Sequence, residues 1–323
     1  MNLDLLFENL SNPALLFFIL GIIAVYLKSD LEIPENSSKF ISLYLLFSIG
    51  FKGGQELSHE VFTTEILFSM LFGILIASII PIYSFFILKK KLGIFNAGAI
   101  AAAYGSVSAV TFVTAATYLE SNQMSVKGHM VAIMAIMESP AIIFGLALIS
   151  IYNKKSETII NKKEVLKHSL TNGSVILIIG SLFVGFLANA KQAEGIKPFT
   201  NDLFKGFLAI FLLDMGISSG KKLKSFFSFG YFPLLFAIFI PLINGCLFSI
   251  LSGIVTDDVT NKFMFGVLAA SASYIAVPAA LKINVPEADS GLYLPMALAI
   301  TFPVNITIGM PLYLYIAQNI SFF

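Results

Sequence analysis

The chain of 323 residues has no arginine, no tryptophan, a single cysteine and charged groups at only 12% of its positions. Each shortage excludes something. Without guanidinium forks, and with 20 lysines scattered between apolar blocks instead of gathered on one face, nucleic-acid binding is disfavoured. The lone Cys246 lies inside an apolar block, so neither a disulfide framework nor a cysteine metal site is available. His59, His129 and His168 are far apart and make no metal-ligand spacing. No Walker loop, nucleotide-binding segment or arginine-rich sensor helix is present, which removes ATP-driven pumping and voltage sensing. Soluble domains carry about 25% charged residues. A chain at 12% charged and 57% hydrophobic, with a mean hydropathy of +0.87, belongs in a lipid bilayer.

What is present is a series of apolar blocks. Ten are counted, at about 13–27, 39–57, 64–88, 96–119 and 129–152 in the first half, and 173–190, 201–220, 230–255, 261–283 and 290–317 in the second. They are continuous runs, not the alternating ten-residue segments of a membrane β-barrel, so the expected class is an all-α polytopic membrane protein with about 10 transmembrane helices. The amino terminus lacks a positive leading region and carries Asp4 and Glu8, which reads as a retained segment before the first span. With that terminus outside, connections after odd-numbered spans hold 14 lysines and the opposite side six. This asymmetry fits the positive-inside rule, with both termini outside the bacterial inner (plasma) membrane.

Laying the second half on the first at an offset of about 165 residues aligns Gly50 with Gly216, Gly54 with Gly220, Asn96 with Asn261, Ser106 with Ser271 and Ser108 with Ser273. An odd number of spans per half turns the second half upside down. The expected organisation is therefore two inverted five-helix repeats, residues 1–152 and 173–323, joined by a cytoplasmic linker at 153–172, with core and gate domains each drawn from both repeats. The linker reads as a solvated basic connection, with docking of a soluble regulator as the alternative.

The blocks at 96–119 and 261–283 are built from alanine, glycine, serine and threonine, where their neighbours use phenylalanine, leucine and isoleucine. Small residues permit close helix packing, the plain explanation. The functional reading is a pair of helices broken at mid-membrane, whose free N–H groups hold an anion while unwound carbonyls and hydroxyls hold a cation. The breaks are expected at Gly105, Ser106, Val107 and Ser108, and at Ser271, Ala272, Ser273 and Tyr274. A carboxylate at a helix centre costs about 2.5 to 3.5 kcal/mol on insertion, so Glu138 in MESPA calls for a reason, and cation or proton coupling supplies one. Asp214 in FLLDMG is a possible coupling residue or a helix-end carboxylate paired to a lysine. Asn305 offers a neutral oxygen ligand or interhelical glue, and Lys52 is expected to snorkel to an interface.

In that order along the chain, SIGFKGG, YGSVSAVTFVTAATYLE, MESPA, FLLDMG and ASASYIAVPAA resemble the sodium-dependent bicarbonate transporter family known from the cyanobacterial carbon-concentrating mechanism, and the resemblance runs nearly end to end. It implies an elevator-like carrier, with a core moving against a gate, and a homotrimer. The anion and sodium would sit between Gly105, Ser106, Val107, Ser108, Ala109 and Thr111 on one side and Ser271, Ala272, Ser273, Tyr274 and Ile275 on the other. Within that frame, sodium is expected at Ser108, Thr111, Glu138, Ser271 and Asn305, as coupling ion and with no other cofactor. The chain departs from the cyanobacterial pattern at Tyr274 and Val277, where that pattern has aspartate and glycine, and at Ala109 and Val110, where it is more polar. Another small anion or carboxylate is therefore the alternative substrate. An intramembrane hydrolase using Glu138 and Asp214 is the rival of another class, disfavoured because neither belongs to a paired motif and no histidine or lysine base is placed beside the serines.

Overall fold

The computed structural model describes residues 13–153, 173–275, 277–278, 280–281 and 285–320. Most of the linker at 153–172, with its lysines and His168, and both chain ends lie outside the described residues. Among the described residues the chain is helical and has no strand. The helices are α1 (Pro13–Tyr26), α2 (Glu35–His59), α3 (Thr64–Gly105), α4 (Ala109–Ser121), α5 (Gly128–Tyr152), α6 (Gly173–Leu187), α7 (Ala190–Lys197), α8 (Phe204–Phe226), α9 (Tyr231–Leu251), α10 (Val259–Ala270) and α11 (Ser290–Asn319).

Every apolar block carries helix among its described residues, and the blocks at 96–119 and 261–283 are interrupted. Five stretches are long and apolar enough to cross a membrane: Thr64–Ser121, Gly128–Tyr152, Ala190–Leu223, Tyr231–Ile254 and Ser290–Asn319. Shorter apolar helices stand at Leu16–Tyr26, Val175–Leu187 and Val259–Ala270. The protein is a multi-pass membrane protein. One connection differs from expectation: the lysines at 89–91 remain helical, and the chain bends at Gly93, whose φ of 78° lies in the left-handed region that glycine enters without a Cβ clash.

Two sets of helices pack most extensively within themselves. In the first, α1 lies on α8 and α2 on α6. Both contacts are backbone against backbone. A Cβ built on Gly21 would stand 2.3 Å from the Leu213 carbonyl oxygen, and one on Gly185 would stand 2.2 Å from that of Phe51. In the second set α3 packs on α5 through Gly98 and Gly145, and α9 packs on α10 where Gly266 meets Ser249 and the Gly245 carbonyl. Small residues provide this closeness, since lipid offers no hydrophobic drive for helix association.

Proline chemistry adds a polar tie inside the second set. Pro241 has no N–H, which frees the carbonyl of Ala237 four residues earlier. The Thr301 hydroxyl donates to it at 2.7 Å, and the Tyr104 hydroxyl lies 2.7 Å from Thr301 Oγ1. α9, α11 and the end of α3 are thereby joined next to the first break.

Candidate functional site

The first break begins where α3 stops. Gly105 lies against the Pro81 ring, so close that a Cβ would approach Pro81 Cγ to 2.2 Å. Ser106 and Ser108 are then extended, with φ/ψ of −85°/174° and −101°/111°. Ser108 starts α4 as its N-cap, its hydroxyl accepting from the Thr111 amide at 3.2 Å. The second break follows the same logic. α10 ends at Ala270, Ser271 is extended, and the Ser273 hydroxyl accepts from the Val277 amide at 3.3 Å. Ser108 and Ser273, paired by the 165-residue offset, thus each cap the chain that follows a break.

The two extended segments cross and are tied directly. The Ser273 amide donates to the Ala103 carbonyl at 2.8 Å, and the Ser108 amide donates to Ser271 Oγ at 3.1 Å. The last turn of α10 is closed by side chains. Ser271 Oγ donates to Leu268 O at 2.9 Å, Asn244 Nδ2 to Ala269 O at 3.3 Å, and Asn305 Nδ2 to Ala270 O at 2.7 Å. Other groups are left open. Among the described residues, the N–H groups of Ala109 and Val110 at the start of α4 make no hydrogen bond, nor does the hydroxyl of Ser106, and the Tyr274 hydroxyl faces the Ser108 side chain without closing a well-formed bond.

A cavity of about 30 Å³ lies at this crossing. Val107, Ser108 and Ala109 form one wall, Ser273, Tyr274 and Ile275 another, and Met134 and Glu138 of α5 a third. Leu46 of α2 and Ile178 of α6 close it from the other set of helices. Glu138 is 6% exposed, and no hydrogen bond or ion pair reaches its carboxylate among the described residues. The edge of the Tyr274 ring meets Phe302 at a centroid distance of 6.4 Å.

Most of the positions singled out from the sequence meet here. Gly105, Ser106 and Ala272 are buried within the breaks. Thr111, Ser271 and Asn305 are buried but do not line the cavity, and Asn305 is occupied at both ends, since its Oδ1 accepts from the Tyr313 hydroxyl at 2.9 Å. Asp214 stands apart on α8, where it accepts a hydrogen bond from Ser38. Lys52 pairs with Glu120 at 2.8 Å. Sequence reasoning missed Leu46, Ile178 and Met134, aliphatic or thioether side chains in apolar blocks that carry no signal. It also missed Asn244, whose amide inside an otherwise apolar span was a legible one.

A family model for the Na+-dependent bicarbonate transporter superfamily matches residues 13–318, from α1 to the last turn of α11. The chain belongs to that superfamily. No curated protein matches it. As a member of this superfamily it is a transporter, and the family's substrate makes a small anion its cargo. The match spans both breaks and all the cavity-lining residues.

Proposed function

We propose that the protein carries bicarbonate into the cell together with sodium, by an elevator-like movement of one helix set past the other. The observation that carries this reading is the central cavity, which joins the unpaired amides at the α4 N-terminus to the unpaired carboxylate of Glu138. An α-helix N-terminus carries roughly half a positive charge and free N–H donors, which suits a small oxyanion. An anion there lies close to Glu138. At about 4 Å and an effective dielectric of about 20, two like charges repel by about 4 kcal/mol. A sodium ion between them converts that repulsion into two attractions, so the anion and cation enter as a pair. Glu138 and the Ser108 hydroxyl are the cation ligands that line the cavity, and Thr111 follows one turn into α4. Ser271 and Asn305 act chiefly by closing the end of α10.

The pair is electroneutral, so the carrier concentrates substrate only against the sodium gradient, at about 1.4 kcal/mol per tenfold ratio. A cavity of about 30 Å³ takes a water-sized guest. Admitting bicarbonate requires Leu46 and Ile178 to move away from the breaks, which means that α2 and α6 slide on the faces they share with α4 and α5. The reading includes inverted repeats, a trimer and residence in the inner membrane with both termini outside. The glycine contacts support the repeat, because Gly21 meets the Leu213 carbonyl oxygen and Gly185 meets that of Phe51, so each half supplies a glycine that lies against the backbone of the other within a few residues of the 165-residue register.

The test is uptake of labelled bicarbonate into proteoliposomes with and without a sodium gradient. Sodium-driven uptake is expected, and Glu138→Gln is expected to lower sodium affinity at least tenfold while the protein still inserts. Uptake indifferent to sodium overturns the reading. The buried Tyr274 hydroxyl in the cavity wall favours a second substrate, another small carboxylate able to accept its hydrogen bond. Competition of labelled bicarbonate by formate and acetate separates the two.

A further inference from the structure

The central cavity is continued by a second one in the same groove. Leu46 on α2, Ala109 on α4 and Met134 on α5 line the first. Ile49, Phe112 and Val131, each three residues away on the same three helices, line another of about 100 Å³. Phe112, fully buried, is the bulkiest of these three side chains. At the outer limit of this second cavity Lys52 of α2 and Glu120 of α4 face each other across the groove, with Lys52 Nζ 2.8 Å from Glu120 Oε1. Both side chains are more than one third exposed, and Lys52 also lines a separate hollow of about 270 Å³ beside α7. This end of the groove lies at the face where the α2–α3 connection meets the start of α5, since Glu60 Oε1 accepts from the Gly128 amide.

We propose that this groove is the anion's route to the central cavity, and that Lys52 is its first docking point, a small-oxyanion site that Glu120 occupies in the closed state. The inference rests on the transport reading above. Ion pairs this exposed are weak, so Lys52 exchanges Glu120 for an arriving carboxylate-like oxygen at little cost. The released Glu120, with Glu56 one turn along α2 in the same cavity, then offers oxygen to the accompanying cation. The outer hollow adds Glu194 and Lys197, which cancel one another.

The experiment is a kinetic comparison in proteoliposomes under a fixed sodium gradient. Lys52→Gln is expected to raise the KM for bicarbonate at least fivefold with kcat within twofold, and Glu120→Gln, which frees the ammonium, to lower it. In a Cys246→Ser background, Lys52→Cys treated with a thiol reagent that attaches an ammonium is expected to regain the parental KM, and the same reagent bearing a sulfonate is expected not to. A merely structural pair would also favour the ammonium, so Glu120→Gln separates the two: loss of half of a structural pair raises KM or leaves it unchanged, whereas freeing a docking ammonium lowers it. Unchanged KM in Lys52→Gln, or equal rescue by both labels, overturns the proposal while leaving the function standing. Absence of sodium-driven uptake by the unaltered protein overturns the transport reading and this inference with it.

Discussion

Asn305 separates two roles that a polar residue beside a break can play, and substitution tells them apart. It is 1% exposed, donates to the Ala270 carbonyl at 2.7 Å and accepts from the Tyr313 hydroxyl at 2.9 Å. Asn305→Leu keeps the branched shape and deletes both bonds. An orphaned buried partner costs about 1 to 3 kcal/mol in water-soluble cores, but polar contacts between membrane helices average about 0.6 kcal/mol and reach about 1.7. Tyr313 keeps a long contact to the Pro241 carbonyl at 3.4 Å, so most of the loss falls on Ala270. The expected destabilisation is about 0.6 to 1.7 kcal/mol. Asn305→Asp discriminates further. A carboxylate retains the acceptor for Tyr313 but sets an oxygen against the Ala270 carbonyl, so it is expected to destabilise more than leucine does. If Asn305 served as a sodium ligand, the added charge would strengthen sodium binding instead. Unfolding equilibria in mixed micelles, paired with sodium titration of uptake, decide the matter. Aspartate that equals the parent in stability and gains sodium affinity refutes the capping assignment.

Two further outcomes concern packing and capping. Gly54→Ala places a Cβ 2.0 Å from the Leu182 carbonyl oxygen, forcing α2 and α6 apart, and is expected to cost about 1 to 3 kcal/mol in detergent-solubilised melting. An unchanged midpoint would mean that the two helices do not touch. Burial works to raise the Asp258 carboxyl, but hydrogen bonds from Thr260 and Asn261 and the charge of Lys127 outweigh it and hold the group below the usual carboxylate range. Its folded pKa is thus depressed, so its stabilisation is present above about pH 4 and disappears as pH falls through the folded value. Asp258→Ala, which also removes the cap from the Thr260 and Asn261 amides at 2.8 and 3.0 Å, is expected to cost about 1 kcal/mol at neutral pH and to flatten the acid limb of the melting curve.

The membrane-helix pattern and both break positions were legible because each rests on composition. Long apolar blocks have one stable solution in lipid, and stretches of alanine, glycine and serine such as 97–108 and 266–273 announce where backbone must approach backbone. The walls that close the cavity were not legible. Leu46 and Ile178 sit in helices with apolar side chains on every side, so no stripe marks the face turned toward the site. Gly93 shows another limit. Three lysines before it suggest a loop, whereas the helix runs through them and turns only at the residue that can adopt a positive φ. Asn305 is the subtler case, because the value of its amide depends on which carbonyl stands opposite, and that is a fact of the fold and not of the residue.

The disposition of unsatisfied backbone at the crossing argues for an anion at one particular end. Every helix leaves N–H groups open at its start and carbonyls open at its finish. Here the finish of α10 is shut, with Leu268, Ala269 and Ala270 all accepting hydrogen bonds from side chains. On α3, Ala102 and Ala103 are taken by the amides of Ser106 and Ser273, while among the described residues nothing donates to the carbonyls of Tyr104 and Gly105. Among the same residues the first two amides of α4 meet no acceptor. Negative ends are therefore largely quenched and a positive end is exposed, so the backbone alone favours an anion at Ala109 and Val110. A cation must then draw on what remains, the Glu138 carboxylate and the Ser108 hydroxyl in the cavity wall and the two open carbonyls of α3. The sidedness of the caps thus predicts that loss of Glu138's charge weakens sodium more than substrate, whereas disturbing the α4 N-cap at Ser108 weakens both.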